Sequence, residues 1–215
     1  MHIFITGVGR GIGREMALDA RARGWQVTGT VRQAGNAPDG VAELLVDMRD
    51  LESFATRTTQ LAPVDVLINN AGVIGPERSA TLDMDFAGFA ETLAINTIAP
   101  LAMAQAMLPH MRAGGRILTI SSQMAWMGYA KSDRIAYRAS KAAVNKVMQG
   151  LATDLQDRGI AVALIDPGWV RTDMGGPEAD EDPKRVAGGI LDIATRLDMT
   201  QTGQFLRWTG EKRDF

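Results

Sequence analysis

The stretch Met1-His-Ile-Phe-Ile-Thr-Gly-Val-Gly-Arg-Gly-Ile-Gly13 decides the architecture. Residues 2–6 read as a strand, Thr6 to Gly13 as a glycine-rich turn, and residues 12–23 as a helix. Strand, tight turn and helix in that order open a β-α-β unit. The glycines let the backbone turn sharply and approach a diphosphate closely. The helix start offers free N–H groups and the positive end of its dipole. The turn therefore implies nucleotide binding.

Outward from this start, strand-like and helix-like runs alternate. Strands are expected at about 2–6, 25–31, 42–46, 64–69, 115–120, 160–165 and 204–208. Helices are expected near 12–23, 50–61, 83–111, 136–158 and 184–197. Such alternation predicts an α/β fold with a doubly wound parallel sheet of about seven strands and helices on both faces. No repeat or linker divides residues 1–215, so a single domain is expected. Pro100 and Pro109 interrupt the long segment 83–111 and predict kinking there. Residues 175–183, rich in Gly, Pro and acids, read as a short mobile loop, either a lid or a solvated connection.

Composition narrows the function classes. Of 215 residues, 46 % are hydrophobic and 22 % charged, as in ordinary globular proteins. A net charge of −2 without a basic cluster argues against nucleic-acid or membrane partners. No long apolar run stands out. The absence of cysteine excludes disulfides and thiolate chemistry and is compatible with a cytoplasmic location. With only His2 and His110, no histidine metal site is expected, and without a G-x-S-x-G elbow a serine hydrolase fits poorly.

Chemistry concentrates in Ile117–Lys141. An apolar, β-branched strand over Ile117–Ile120 ends at Ser121 and Ser122, and a loop leads to Tyr137-Arg-Ala-Ser-Lys141 on an Ala-rich helix. Positions i and i+4 share a helix face, so Tyr137 and Lys141 point the same way. An ammonium about 4 Å from a phenol gives roughly 4 kcal/mol of attraction at an effective dielectric near 20. That could draw the phenol from about 10 toward neutrality, where it can donate or accept a proton, with desolvation offsetting part of the effect. The same spacing also occurs in helices by chance.

The motifs Thr6-Gly-x-x-x-Gly11-x-Gly13, Asn69-Asn-Ala-Gly72, Asn96, Ser122, Tyr137-x-x-x-Lys141 and Pro167-Gly168 resemble, in kind and order, those of the short-chain dehydrogenase/reductase family. The resemblance spans essentially the whole chain and implies a Rossmann fold. It also implies hydride transfer between nicotinamide and a carbonyl or secondary alcohol. Tyr137 would be the acid-base, and Lys141 would tune it and hold the nicotinamide ribose. Ser122 would orient the carbonyl, with Ser121 as the other choice, and Asn96 would hold a water for a proton relay. Asn96 could equally relieve a helix bend. Gly7, Arg10, Gly11, Ile12 and Gly13 would cradle the cofactor. Asp47 and Met48 would touch adenine, although Asp47 could be a turn residue. Asn70, Ala71 and Gly72 would lie along the ribose, and Pro167, Gly168, Val170 and Thr172 would approach the nicotinamide.

NAD-preferring proteins place an acid at the end of the second strand. Here Val31 stands there, followed by Arg32, with Arg10 in the glycine turn. Two guanidiniums suit a 2′-phosphate, so NADP is favoured over NAD, unless Arg32 is simply solvated. Ala- and Met-rich helices would form a homodimer or homotetramer face by resemblance, or merely cover the sheet. The chain is short for the family around the substrate loop and C-terminus. The rival readings are a non-catalytic dinucleotide-binding redox sensor and a lyase or epimerase on the same fold.

Overall fold

The computed structural model describes all 215 residues, Met1–Phe215. In chain order, β1 (His2–Ile5) leads through the glycine turn into α1 (Gly11–Ala22). β2 (Gln26–Val31), β3 (Ala42–Leu45) and a short α2 (Ser53–Thr58) follow, then β4 (Val66–Asn69). A two-stranded ribbon, β5 (Ser79–Ala80) and β6 (Asp83–Met84), precedes α3 (Phe86–Leu93), a π-helical turn (Ala94–Ile98) and α4 (Ala99–Met107). The chain closes with β7 (Arg116–Ile120), α5 (Ile135–Asp154), β8 (Ala161–Asp166), α6 (Pro183–Arg196), β9 (Phe205–Arg207) and β10 (Lys212–Arg213).

Eight strands form one sheet in the order β10-β9-β8-β7-β4-β1-β2-β3. All pairings are parallel except β10 on β9. Strand alternation sorts the core into two layers. Ile3, Ile5, Val66, Ile68, Leu118, Ala163 and Ile165 face α1 and α6. Phe4, Leu67, Ile117, Val162 and Leu164 face α2, α4 and α5. Successive strands first extend the sheet from β1 to β3, then cross to β4 and extend it the other way. The carboxyl ends of β1 and β4 flank this switch, which is where α/β sheets bind ligands.

The doubly wound sheet is as expected, its eight strands including a β10 only two residues long. The structure corrects other expectations. The helix expected from 83 begins at Phe86, because Asp83 and Met84 pair with Ser79 and Ala80. Its kink is a π turn ahead of Pro100, where the ring removes the N–H that a regular helix would give to Asn96. Phe86–His110 is, by length and composition, apolar enough to cross a membrane, contrary to the reading that no such stretch exists. Met103, Ala104 and Met107 in it are fully buried against the sheet, so it packs as a core helix. Residues 175–182 lie in a loop braced from within, and Pro183 already opens α6. Arg171 donates to the Ala179 and Asp180 carbonyls at 2.9 and 3.0 Å, and the Trp169 indole donates to Gly175 at 2.8 Å.

Candidate active site

A crevice of about 900 Å³ opens at the carboxyl ends of the central strands. One wall is the glycine turn. The Thr6 hydroxyl accepts the N–H groups of Asn70 and Ala71 at 2.9 and 3.0 Å. The Asn70 amide donates back to the Thr6 and Gly7 carbonyls at 2.9 and 3.1 Å. These bonds lock the turn after β1 to the Asn-Ala-Gly segment after β4. Gly7 has φ +75°, and a Cβ on Gly13 would overlap the Gly7 carbonyl. Both glycines therefore answer a geometric demand. No side chain caps the start of α1, and no acid occupies its first turn. Its free N–H groups lie beside a crevice that side chains leave open, which fits a diphosphate.

Opposite this wall lie Tyr137 and Lys141 on α5, 8 % and 5 % exposed. The lysine nitrogen sits 5.7 Å from the centre of the phenol ring and donates to the Ile120 carbonyl at 2.7 Å. The two side chains share one helix face, as their spacing predicts. Their electrostatics differ from expectation. Burial pushes the phenol up to about 12; Ser122 and Arg134 pull it down, and the Asp166 charge pushes it further up. Burial brings the Lys141 ammonium down to about 8. Desolvation outweighs attraction here, because the lysine turns its nitrogen to a backbone carbonyl instead of the phenol oxygen.

The two serines at the end of β7 separate. The Ser121 hydroxyl is consumed by Asn145, to whose oxygen it donates at 2.6 Å. Ser122 interacts with the phenol and also accepts the Met124 N–H at 3.1 Å. Asn96 occupies the π turn with both ends of its amide engaged. Its oxygen accepts the Val73 N–H at 2.9 Å, and its nitrogen donates to the Val73 carbonyl at 2.8 Å and to the Ser140 hydroxyl at 3.0 Å.

Gly7, Arg10, Gly11, Ile12, Gly13, Arg32, Asp47, Met48, Asn70, Ala71, Gly72, Pro167 and Thr172 all line the crevice with Tyr137 and Lys141. Asn96, Ser122, Gly168 and Val170 stand outside its walls. Val170 instead packs into the core layer against α1 and α6. Arg10 pairs with Asp173 at 3.3 Å on the surface. Asp47 is gripped by Arg49 at 2.6 Å, and this guanidinium holds its carboxyl down at about 2. Sequence reasoning missed Thr30, Arg49 and Ile120. Thr30 accepts the Gly7 N–H at 2.9 Å, and a hydroxyl-bearing residue at a strand end beside a glycine turn is the signal that could have found it.

Residues 1–183 match the family model described as short chain dehydrogenase. The chain belongs to the short-chain dehydrogenase family. Among its relatives, the C-signal protein of Myxococcus xanthus is 40 % identical over 164 residues, 74 % of this chain and 97 % of that one. The 3-oxoacyl-acyl-carrier-protein reductase FabG of Escherichia coli strain K12 is 27 % identical over 228 residues, covering 96 % of this chain and 92 % of the reductase. A solved short-chain dehydrogenase/reductase from Burkholderia multivorans with bound NADP superposes with a TM-score of 0.89 at 26 % identity, covering 100 % of this chain and 99 % of that one.

Proposed function

We propose that this chain is an NADP(H)-dependent oxidoreductase acting on a carbonyl or secondary alcohol. One observation carries the reading. The buried Tyr137–Lys141 pair and the uncapped start of α1 line the same crevice, so a nucleotide on one wall brings its reactive end to the other. The dinucleotide, when bound, supplies or accepts the hydride.

The protein's own groups supply the rest. Tyr137 carries its proton at neutral pH and donates it to the carbonyl oxygen as charge develops there. Ser122 shares the load on that oxygen as a hydrogen-bond donor. Lys141, titrating near 8, holds the ribose and returns a proton to the phenol. Asn96 positions a water behind it. Arg32, with Arg10, holds the 2′-phosphate and sets the preference for NADP over NAD. The NADP-bound Burkholderia relative supports this choice. A cytoplasmic location and a homodimer or homotetramer belong to the same proposal; half-exposed Ile98 on the long helix supports an apolar face between subunits.

The test is oxidation of NADPH, and of NADH in parallel, with a panel of aldehydes, ketones and quinones. Turnover with at least one carbonyl is expected, faster with NADPH. The C-signal relative carries a signalling name. Tight dinucleotide binding with no turnover across the panel would favour a sensor and overturn the enzyme reading.

A further inference from the structure

The carboxylate of Asp166, at the end of β8, is 1 % exposed. One oxygen accepts two backbone N–H groups, from Gln123 and Gly168, each at 2.9 Å. Gln123 follows Ser122 directly, and Gly168 forms the turn after Pro167. A single oxygen thus ties the serine loop to the turn on the opposite side of the catalytic centre. The other oxygen lies 2.8 Å from the Arg213 guanidinium, an ion pair close in distance though not aligned as a hydrogen bond. Arg213 comes from β10, the short antiparallel strand, and is 21 % exposed. A carboxylate this deep is expensive without a partner, and β10 delivers one.

We propose that Asp166 and Arg213 form a positioning pair for the active centre: Asp166 holds Ser122 and the Pro167-Gly168 turn in register with the Tyr137 hydroxyl, and Arg213 sets how much negative charge Asp166 presents to that phenol. The proposal rests on Tyr137 being the acid-base. Four groups bear on the phenol. Lys141 lies over its ring, Ser122 and Arg134 make it more acidic, and Asp166 makes it less so. Asp166 is the one anion among them, and Arg213 is the cation that offsets it. Two-residue β10 is thereby part of the catalytic apparatus, and the chain's last strand is coupled to the proton donor.

The chain has two tyrosines, Tyr129 and Tyr137. In a Tyr129→Phe background, ultraviolet difference absorbance therefore reads the Tyr137 phenol alone, without turnover. Asp166→Asn keeps both backbone acceptor bonds and removes the charge, so it should raise the ionisation constant of the phenol roughly three- to tenfold. Arg213→Gln should lower it by a similar factor, seen as less phenolate at a fixed alkaline pH, and Arg213→Lys should restore it. Opposite directions are the signature of charge. A purely structural role would loosen the loops, admit water and make the phenol more acidic in both variants. Movement in one shared direction, or none, overturns the proposal. Should Arg213→Gln not fold, an unmoved phenol in Asp166→Asn overturns it alone. Failure of every carbonyl substrate with the unsubstituted protein would count against the oxidoreductase reading and leave the titration to stand by itself.

Discussion

Tyr137 and Lys141 each hold a protonation equilibrium that water would not give them, and both shifts begin in burial. For catalysis, the decisive test is Tyr137→Phe. It removes one oxygen from a buried ring, so dinucleotide affinity measured by titration should stay within about threefold while turnover falls by a factor on the order of 10²–10⁴. Substantial residual turnover would remove the phenol from its role. For stability, the sign follows from proton counting. The unfolded Lys141 ammonium titrates near 10.5 and the folded one near 8, so the unfolded chain binds more protons between those values. Stability therefore rises with pH across that window, and the cost of burying the charge, about 3 kcal/mol, is felt fully below it. Tyr137 acts oppositely. Its folded value of about 12 exceeds the ordinary phenol value of 10.0, so its contribution is lost only above the latter. Chemical unfolding between about pH 7 and about pH 9.5 should show the natural chain gaining about 2 kcal/mol relative to Lys141→Met. A constant difference would mean that the lysine is not desolvated as the fold suggests.

Elements are positioned by backbone demands that two glycines illustrate. Gly13→Ala should cost roughly 1–3 kcal/mol and weaken dinucleotide binding, because the new Cβ overlaps the Gly7 carbonyl where α1 leaves β1. Gly150 lies in α5 with nothing beyond the helix's own backbone and its chain neighbours within 4 Å of the place an added methyl group would take, so Gly150→Ala should stabilise by about 0.5–1 kcal/mol. Thermal unfolding of the pair checks both signs, and equal effects would refute the packing argument. The same contrast explains what the sequence can show. Buried strands are readable from apolar runs, and the glycine turn and Tyr137–Lys141 from spacing, since period and turn chemistry are local. The two-residue strands β5, β6 and β10 carry too few residues for any period. The π turn depends on where Asn96 can brace Val73 and Ser140, which are distant in the chain. The acidity of Tyr137 is not legible from its spacing to Lys141, because desolvation is a property of the assembled core. The choice between Ser121 and Ser122 likewise rests on Asn145, a residue 24 positions from Ser121.

The whole molecule registers its cofactor through mass action, since a ligand that binds only the folded state stabilises all of it. In the proposed reading Arg32 is the main grip on a 2′-phosphate, since it lines the crevice and joins no ion pair within the chain. Arg10 is already engaged by Asp173, and both members of that pair are largely exposed, so it is weak and readily exchanged. Asp47, a nearby carboxylate, is neutralised by Arg49 and does not oppose a phosphate with its full charge. At about a hundred times its dissociation constant, NADP should therefore stabilise the chain by about 2.7 kcal/mol, and NAD at the same concentration by clearly less. Arg32→Gln removes charge-assisted bonds worth roughly 1.5–3 kcal/mol, which lowers NADP affinity about ten- to a hundredfold. NAD has no phosphate there and should lose nothing. Thermal shifts with each dinucleotide, on the natural chain and on Arg32→Gln, give four numbers. They should show the two cofactors converging in the variant through a drop in NADP alone. Parallel loss for both would mean that Arg32 shapes the crevice instead of reading the phosphate, and equal shifts in the natural chain would remove the preference itself.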